Sequence, residues 1–482
     1  LPAATASDLP APRGGDQVSD CNNPRVVRSL RGEGQVISGV RQSVAFAVPV
    51  VSRFNLVMVR GILLTTLAAL CLGCDAEIEH FNPNTVYSLT VERTRSAPTE
   101  IALADAAEVV EQVFGTPNQP LWPRELFDDP SLASWIDTER LTRAAGPVSS
   151  DREGVNHGLY RKHCVNCHGL DGSGAGPSSL FQNPYPRDFR HGVFKWKSTE
   201  RHAKPTRDDL RGVLNRGVAG TAMPSFALID AEDLEALVDY VIYLSIRGEV
   251  ERRLVASAID ELGYAETAPD EEELRLVSAT DDTEAADLIR YVVGRVAKSW
   301  RDAEGLVVPV PAPHSLSDEE IAESINRGRD LFHGPIANCV GCHGPAGNGA
   351  AVTVDYDDWS KEYSTRLGLT PTDHEAMRPF REAGALPPRQ TEPRNFGDGV
   401  FRGRGDPQSI YRRISQGIAG TPMPSVEIVP QPSRTSLSES QVWDLVRYVR
   451  FLASDPAARR EPAARQTAAV VDETPPTVEA DQ

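Results

Sequence analysis

The sequence predicts an all-α chain: two tandem copies of one helical unit, joined by an acidic, partly helical linker. Two observations predict it. Blocks of sequence recur in the same order in both halves, which marks two copies of one structural unit. Each copy also closes on apolar residues at helical spacing: Leu234, Leu237, Val238, Val241 and Ile242 in the first, Val442, Leu445, Val446, Val449 and Leu452 in the second. The first pair of blocks is Cys164-Val165-Asn166-Cys167-His168-Gly169 and Cys339-Val340-Gly341-Cys342-His343-Gly344. Next come Pro186-Arg187-Asp188-Phe189 and Pro393-Arg394-Asn395-Phe396, which run on into Gly192-Val193-Phe194 and Gly399-Val400-Phe401. The third pair is Gly217 to Ser225 (GVAGTAMPS) and Gly417 to Ser425 (GIAGTPMPS), and the last is Leu237 to Leu244 and Leu445 to Leu452.

Taken in chain order, residues 1–57 hold Pro, Gly, Ser and Arg without sustained periodicity. At Met58 the character changes. Met58-Val59-Arg60 is a short basic start, and Gly61 to Gly73 is an apolar run of 13 residues ending at Cys74. That layout is a secretory signal, and the run is too short for a conventional span of about 20 residues. Leu72-Gly73-Cys74 resembles the end of a bacterial lipoprotein signal, although Cys71 stands where such signals usually carry Leu. The resemblance implies a lipid-bearing Cys74, a signal over 58–74 and a mature protein without residues 1–57. Residues 75–150 form an N-terminal extension without a readable motif.

The first unit is expected over 151–250 and the second over 317–456. Helical patterns precede each Cys pair, Gly154 to His163 and Ile321 to Phe332, with Ser317 and Glu320 placed as a capping box for the second. The closing helices are expected to bury one face and expose charged residues on the other. The linker, 251–316, holds Asp270-Glu271-Glu272-Glu273 and a helical pattern around Ala285 to Trp300. The second copy is longer by residues 351–388, rich in Asp, Thr and Pro, which reads as a surface insertion. From 457 to 482 little can be buried, and this tail is expected to be disordered.

The chain's 482 residues exceed what one core usually supports. Its formal net charge of −18 argues against a nucleic-acid partner. Seven cysteines in so long a chain are no disulfide framework, and four of them lie in two C-x-x-C-H runs. That run is the attachment pattern for a c-type haem: Cys164 and Cys167, and again Cys339 and Cys342, are spaced to bond the two vinyl groups of one haem. The adjacent His168 and His343 then face the iron. A soft thioether suits the sixth position. Met223 and Met423, two of only four methionines, occupy the same point of the repeat, each between a Gly- and Thr-bearing loop and a Pro. Met377 has no counterpart and no assigned role. A single zinc site or a pair of redox disulfides are the alternatives. Each Cys pair has its own His, and no βαβ pattern is visible.

In this order of motifs each unit resembles a class I cytochrome c domain. The resemblance implies an all-α fold of two tandem cytochrome c-like domains, with first and last helices crossing and a haem in an apolar crevice. It implies two covalently bound haem c groups, with His168, Met223, His343 and Met423 on the irons. It also implies a loop carbonyl accepting the proximal His N–H; Pro177 sits where the first unit would supply it, with Gly349-Ala350-Ala351 at that point in the second. Arg187 and Arg394, matched in the repeat, are candidate partners for haem propionates. Unmatched His157, His163, His191, His202 and His333 read as surface residues, and Tyr160, Phe189, Phe332 and Phe396 as core or haem packing. An excess of Lys and Arg over Arg187 to Arg216 reads as a solvated face or a docking face for an acidic partner.

The function expected is electron transfer without a catalytic residue: an extracytoplasmic, membrane-anchored carrier between respiratory redox partners. A dihaem peroxidase-like enzyme, or a haem subunit of a larger dehydrogenase or oxidase complex, are the other readings. The near-identical Met loops favour two closed irons over the enzyme.

Overall fold

Each copy is organised by its closing helix, Ala231–Asp260 in the first and Glu439–Ser454 in the second. The computed structural model describes residues 79–265, 275–278, 283–350 and 355–454. The segments 1–57 and 58–74, Cys74, the acidic run 270–273 and the tail 457–482 lie outside the described residues. All described residues belong to one compact unit, Glu77–Gln482. The fold is all-α. Among the described residues the strands are two short antiparallel pairs, Ser149–Ser150 with Asn156–His157 and Asp355–Tyr356 with Gln390–Thr391. No described helix is long and apolar enough to cross a membrane.

In the second copy the entry helix Asp318–His333 crosses the closing helix. The expected capping box starts it: Glu320 N–H bonds the Ser317 hydroxyl at 3.3 Å, and Ser317 N–H bonds the Glu320 carboxylate at 2.7 Å. Gly328 sits at the crossing, where an added Cβ would lie 2.1 Å from the Asp444 carbonyl oxygen. Beside it the buried Asp444 carboxylate accepts from Ser324 and from Arg327 Nε at 3.0 Å. Gly328→Ala is therefore expected to cost the second copy about 1–3 kcal/mol. The check is its unfolding midpoint, with the first copy's transition unmoved.

The first copy is built differently. Its entry helix is only Leu159–His163, not Gly154 to His163, because Gly158 turns at φ 68° with Pro147 packed against it. Its closing helix is 30 residues long, so residue 250, the expected edge of the unit, lies inside it. Helices Thr85–Arg95, Glu100–Phe114, Thr138–Ala144 and Glu284–Arg301 pack around that helix. The polar face expected in water is therefore covered. Asp239, Arg247, Glu249 and Glu251 are buried, and each has a partner. Arg247 pairs with Glu251, which accepts from Asn84 N–H at 2.6 Å, and lies 4.1 Å from the Phe81 ring centre. The helical part of the linker thus belongs to the first copy's core; its Trp300 is buried and donates to Glu249 at 2.7 Å.

The insertion is a strap and not a free surface loop. Tyr363, Met377 and Phe380 form a small core against Val86 and Leu89 of the Thr85–Arg95 helix. Met377, without a role in the sequence, fills that core at 2% exposure. Arg252 bonds Glu362 at 2.6 and 3.1 Å, and Arg389 bonds the Gln182 carbonyl. The second copy's extra residues therefore tie it to the first.

Candidate functional site

Each C-x-x-C-H run folds as one helical turn, Val165–His168 and Val340–His343. His168 N–H bonds Cys164 O at 2.9 Å, and His343 N–H bonds Cys339 O at 2.8 Å. The turn stops at Gly169 and Gly344, at φ 75° and 74°, values that favour glycine. The four thiols are free. Burial pushes those of Cys164 and Cys339 up to about 12. Among the described residues no group of three or more His, Cys, Asp and Glu side chains is gathered to hold a metal ion.

Both imidazoles are aimed from behind. His168 Nδ1 lies 3.0 Å from the Arg187 carbonyl oxygen, and His343 Nδ1 lies 3.1 Å from that of Arg394. A carbonyl only accepts, so Nδ1 carries the proton and Nε2 presents a lone pair. This corrects the expectation for Pro177. The turn after the attachment site folds back on its own start, with Ser178 N–H on Asn166 O and Gly176 N–H on Cys167 O, so the acceptor comes from the later Pro-Arg block. Burial pulls His168 down to about 4 against the raising effect of that bond, and lowers His343 as well, so both rings are neutral donors to a metal. Phe189 stacks on His168 at 4.6 Å and Phe396 on His343 at 4.5 Å.

The methionine loops repeat bond for bond. Helices Arg207–Arg216 and Pro407–Gln416 end at Gly217 and Gly417, φ 64° and 67°. Thr221 Oγ1 donates to Val218 O at 2.7 Å and accepts from Met223 N–H at 3.2 Å; Thr421 does the same with Ile418 and Met423 at 2.8 and 3.3 Å. The loop closes as Val218 N–H bonds Met223 O at 3.1 Å, and Ile418 N–H bonds Met423 O at 3.3 Å. The threonine in each block is therefore the brace that presents the methionine.

These pieces converge on one cavity of about 930 Å³. Cys164, Cys167, His168 and Met223 line it together with Cys339, Cys342, His343 and Met423. So do Arg187 and Arg394, and a basic set that sequence reading missed: Lys195, Arg402 and Arg413. Arg187 Nη1, Arg402 Nε and Arg413 Nη2 are buried without a hydrogen-bond partner. Burial lowers Arg187 to about 9, Arg413 to about 10 and Lys195 to about 7. Buried guanidinium nitrogens without acceptors are costly, and an apolar macrocycle carrying carboxylates fits both the apolar walls and the orphaned guanidinium atoms. Lys195 and Arg402 were legible, since each follows the repeated Gly-Val-Phe block directly. Of the histidines expected at the surface, His163 instead lines the cavity, edge-on to Phe226 at 5.8 Å. His191 is partly buried against Asp188 and Glu362, and His333 bonds the Arg329 and Pro345 carbonyls.

Residues 156–241 match the family model of cytochrome c oxidase, cbb3-type, subunit III, and residues 325–453 match that of cytochrome c. No curated protein matches the chain. Among solved structures, the Kuenenia stuttgartiensis reducing HAO-like protein complex Kustc0457/Kustc0458 contains a similar chain, at 22% identity and a TM-score of 0.38, with 64% of this chain and 98% of that one covered. With a cytochrome c domain in each copy of its repeat, and so two covalently bound haem c groups, the chain is a dihaem c-type cytochrome.

Proposed function

We propose that the chain relays electrons between two protein partners through two haems held side by side, one on His168 and Met223 and the other on His343 and Met423. The observation that carries this is the single cavity lined by both attachment turns and both methionine loops. The haem iron supplies reversible one-electron chemistry when bound. The chain's residues do the rest. The carbonyls of Arg187 and Arg394 fix the two imidazoles, and Thr221 and Thr421 set the thioethers. The side chains of Arg187, Arg394, Lys195, Arg402 and Arg413 hold the propionates. Apolar walls such as Phe189, Leu214, Phe396 and Ile414 keep water from the irons.

The relay works outside the cytoplasm, tethered to a membrane by a lipid on Cys74; the signal-like segment Met58 to Cys74 supports this. The likeness of the first domain to an oxidase subunit supports a membrane respiratory complex as one partner, with this chain as its haem subunit or its carrier.

Carbon monoxide tests the ligation. Added to the reduced protein it is expected to leave the c-type spectrum unchanged, because a thioether closes each iron. A carbon monoxide complex at either haem in the unmodified protein would overturn closed His/Met ligation and favour a peroxidase-like role. Circular dichroism tests the shared cavity: two haems this close are expected to give a split Soret signal, and an unsplit band would remove the side-by-side relay.

A further inference from the structure

The two methionine loops are nearly the same in sequence, yet their surroundings differ. In the first copy Ala219, Gly220 and Ala222 are exposed. In the second Ala419, Gly420 and Thr421 are buried. The cover comes from elsewhere in the chain. Trp359 of the strap packs against Gly420, where an added Cβ would meet its ring at 2.2 Å, and Asp358 N–H bonds the Gly420 carbonyl at 3.2 Å. From the first copy Arg201 reaches across. Its Nη1 donates to Met423 O at 2.8 Å and Gln416 O at 3.3 Å, and its Nη2 to Thr421 O at 3.2 Å.

That reach is built. Gly417 leaves the space, since a Cβ there would lie 2.2 Å from Arg201 Nη1. The segment carrying Arg201 is pinned by Val308 N–H on Ser198 O and Glu200 N–H on Leu306 O, both 3.0 Å. Among the described residues no carboxylate pairs with Arg201. All its side-chain hydrogen bonds go to this one loop. Lys197, Arg412 and Arg413 line the same small cleft, so the loop sits in a positive field. At the matching carbonyls of the first copy, Arg216, Thr221 and Met223, no described side chain donates.

We propose that Arg201 is a positioning residue for the second haem: the first copy uses it to lock the Met423 loop onto that iron and to raise that haem's reduction potential above its partner's. A planar fork donates to the carbonyls of residues 416, 421 and 423 from two nitrogens held in fixed geometry, whereas an ammonium offers three donors from one point on a flexible stem. Met423 O already accepts from Ile418 N–H, so Arg201 gives that carbonyl a second donor and adds donors at Gln416 O and Thr421 O. The fixed positive charge favours the less positive, reduced iron. The first loop is held by bonds within itself, those of Thr221 and of Val218 N–H to Met223 O, without a clamp from the other copy, and is the more easily opened. The inference rests on Met423 being an iron ligand.

The test is a set of variants at residue 201 in the full haem-loaded chain. It is read by the upfield-shifted methionine methyl resonances of the reduced protein, by carbon monoxide binding and by redox titration. The unmodified protein should show two such methyl signals; fewer would sink the His/Met assignment itself and not the clamp. In Arg201→Ala one of the two signals is expected to weaken, carbon monoxide to bind one haem, and the potential of that haem to fall by about tenfold in its redox equilibrium, or about 59 mV for one electron. Arg201→Gln, which keeps donors without charge, should retain the signal and lose the potential. Arg201→Lys should retain much of the potential and weaken the signal. Should Arg201→Ala fail to assemble, the Gln and Lys pair still separates the two effects. Two full-strength methyl signals and unchanged potentials in Ala, or in both Gln and Lys, would overturn the proposal.

Discussion

Replacing Cys339 and Cys342 together by serine is expected to leave one haem per chain and to unfold the second copy. Both thiols line the shared cavity, and without them nothing covalent holds a haem there. The walls left behind include Phe332, Phe396, Ile410, Ile414, Leu445 and Val449, the main apolar cluster of that copy. A void in packed apolar surroundings costs about 24 cal/mol per Å³, so half of the cavity amounts to about 10 kcal/mol. That is the size of a whole domain's stability, about 5–15 kcal/mol. Water entering by the basic side reduces the cost without supplying the lost contacts. Intact mass should fall by one haem, and helical signal and the second unfolding transition should be lost. A chain that keeps two haems, or a haem-free second copy that melts normally, would show that the cavity is not what the haem fills.

Trp300→Ala is expected to cost the first copy about 3–5 kcal/mol and to disturb the first haem alone. Trp300 ends an aromatic column behind His168. Its ring meets Phe194 edge-on at 5.7 Å, Phe194 stacks on Phe189 at 5.9 Å, and Phe189 stacks on His168 at 4.6 Å. The indole N–H satisfies the buried Glu249, which also binds Lys204, itself bonded to the Gly192 carbonyl at 3.1 Å. Truncation leaves a hole behind the ligand and a carboxylate short of a donor. Trp300→Phe keeps most of the packing and should lose much less. Denaturant unfolding and redox titration check this. An equal shift of both haems, or no loss of stability, would place Trp300 outside the support of the first site.

What the sequence made legible was what is local and repeated. Both attachment turns, both methionine loops and the stacked Phe189 and Phe396 could be read because each function is carried by neighbours in the chain and appears twice. The proximal acceptor was missed although its block was seen, because resemblance pointed to Pro177 while the matched Arg187 and Arg394 supply the carbonyl. The buried charges of the long helix were invisible to periodicity: Asp239 and Glu251 read as a solvated face until Arg140 and Arg207 meet the first and Arg247 and the Asn84 N–H meet the second. Arg201 and Trp359 were out of reach for another reason. They act on a loop 222 residues away in one case and from an unrepeated strap in the other, and no pairing of copies predicts either.

The strap also sets an order of assembly. A chain made from its N-terminus has the first haem domain complete long before residues 359–380 exist. Until they arrive, Val86, Leu89 and Arg252 lack Phe380, Met377 and Glu362, their partners in the finished protein. The first domain therefore spends its early life with an open apolar stripe, which the last third of the chain must close. A fragment ending before the strap is expected to carry its haem and yet to self-associate through that stripe.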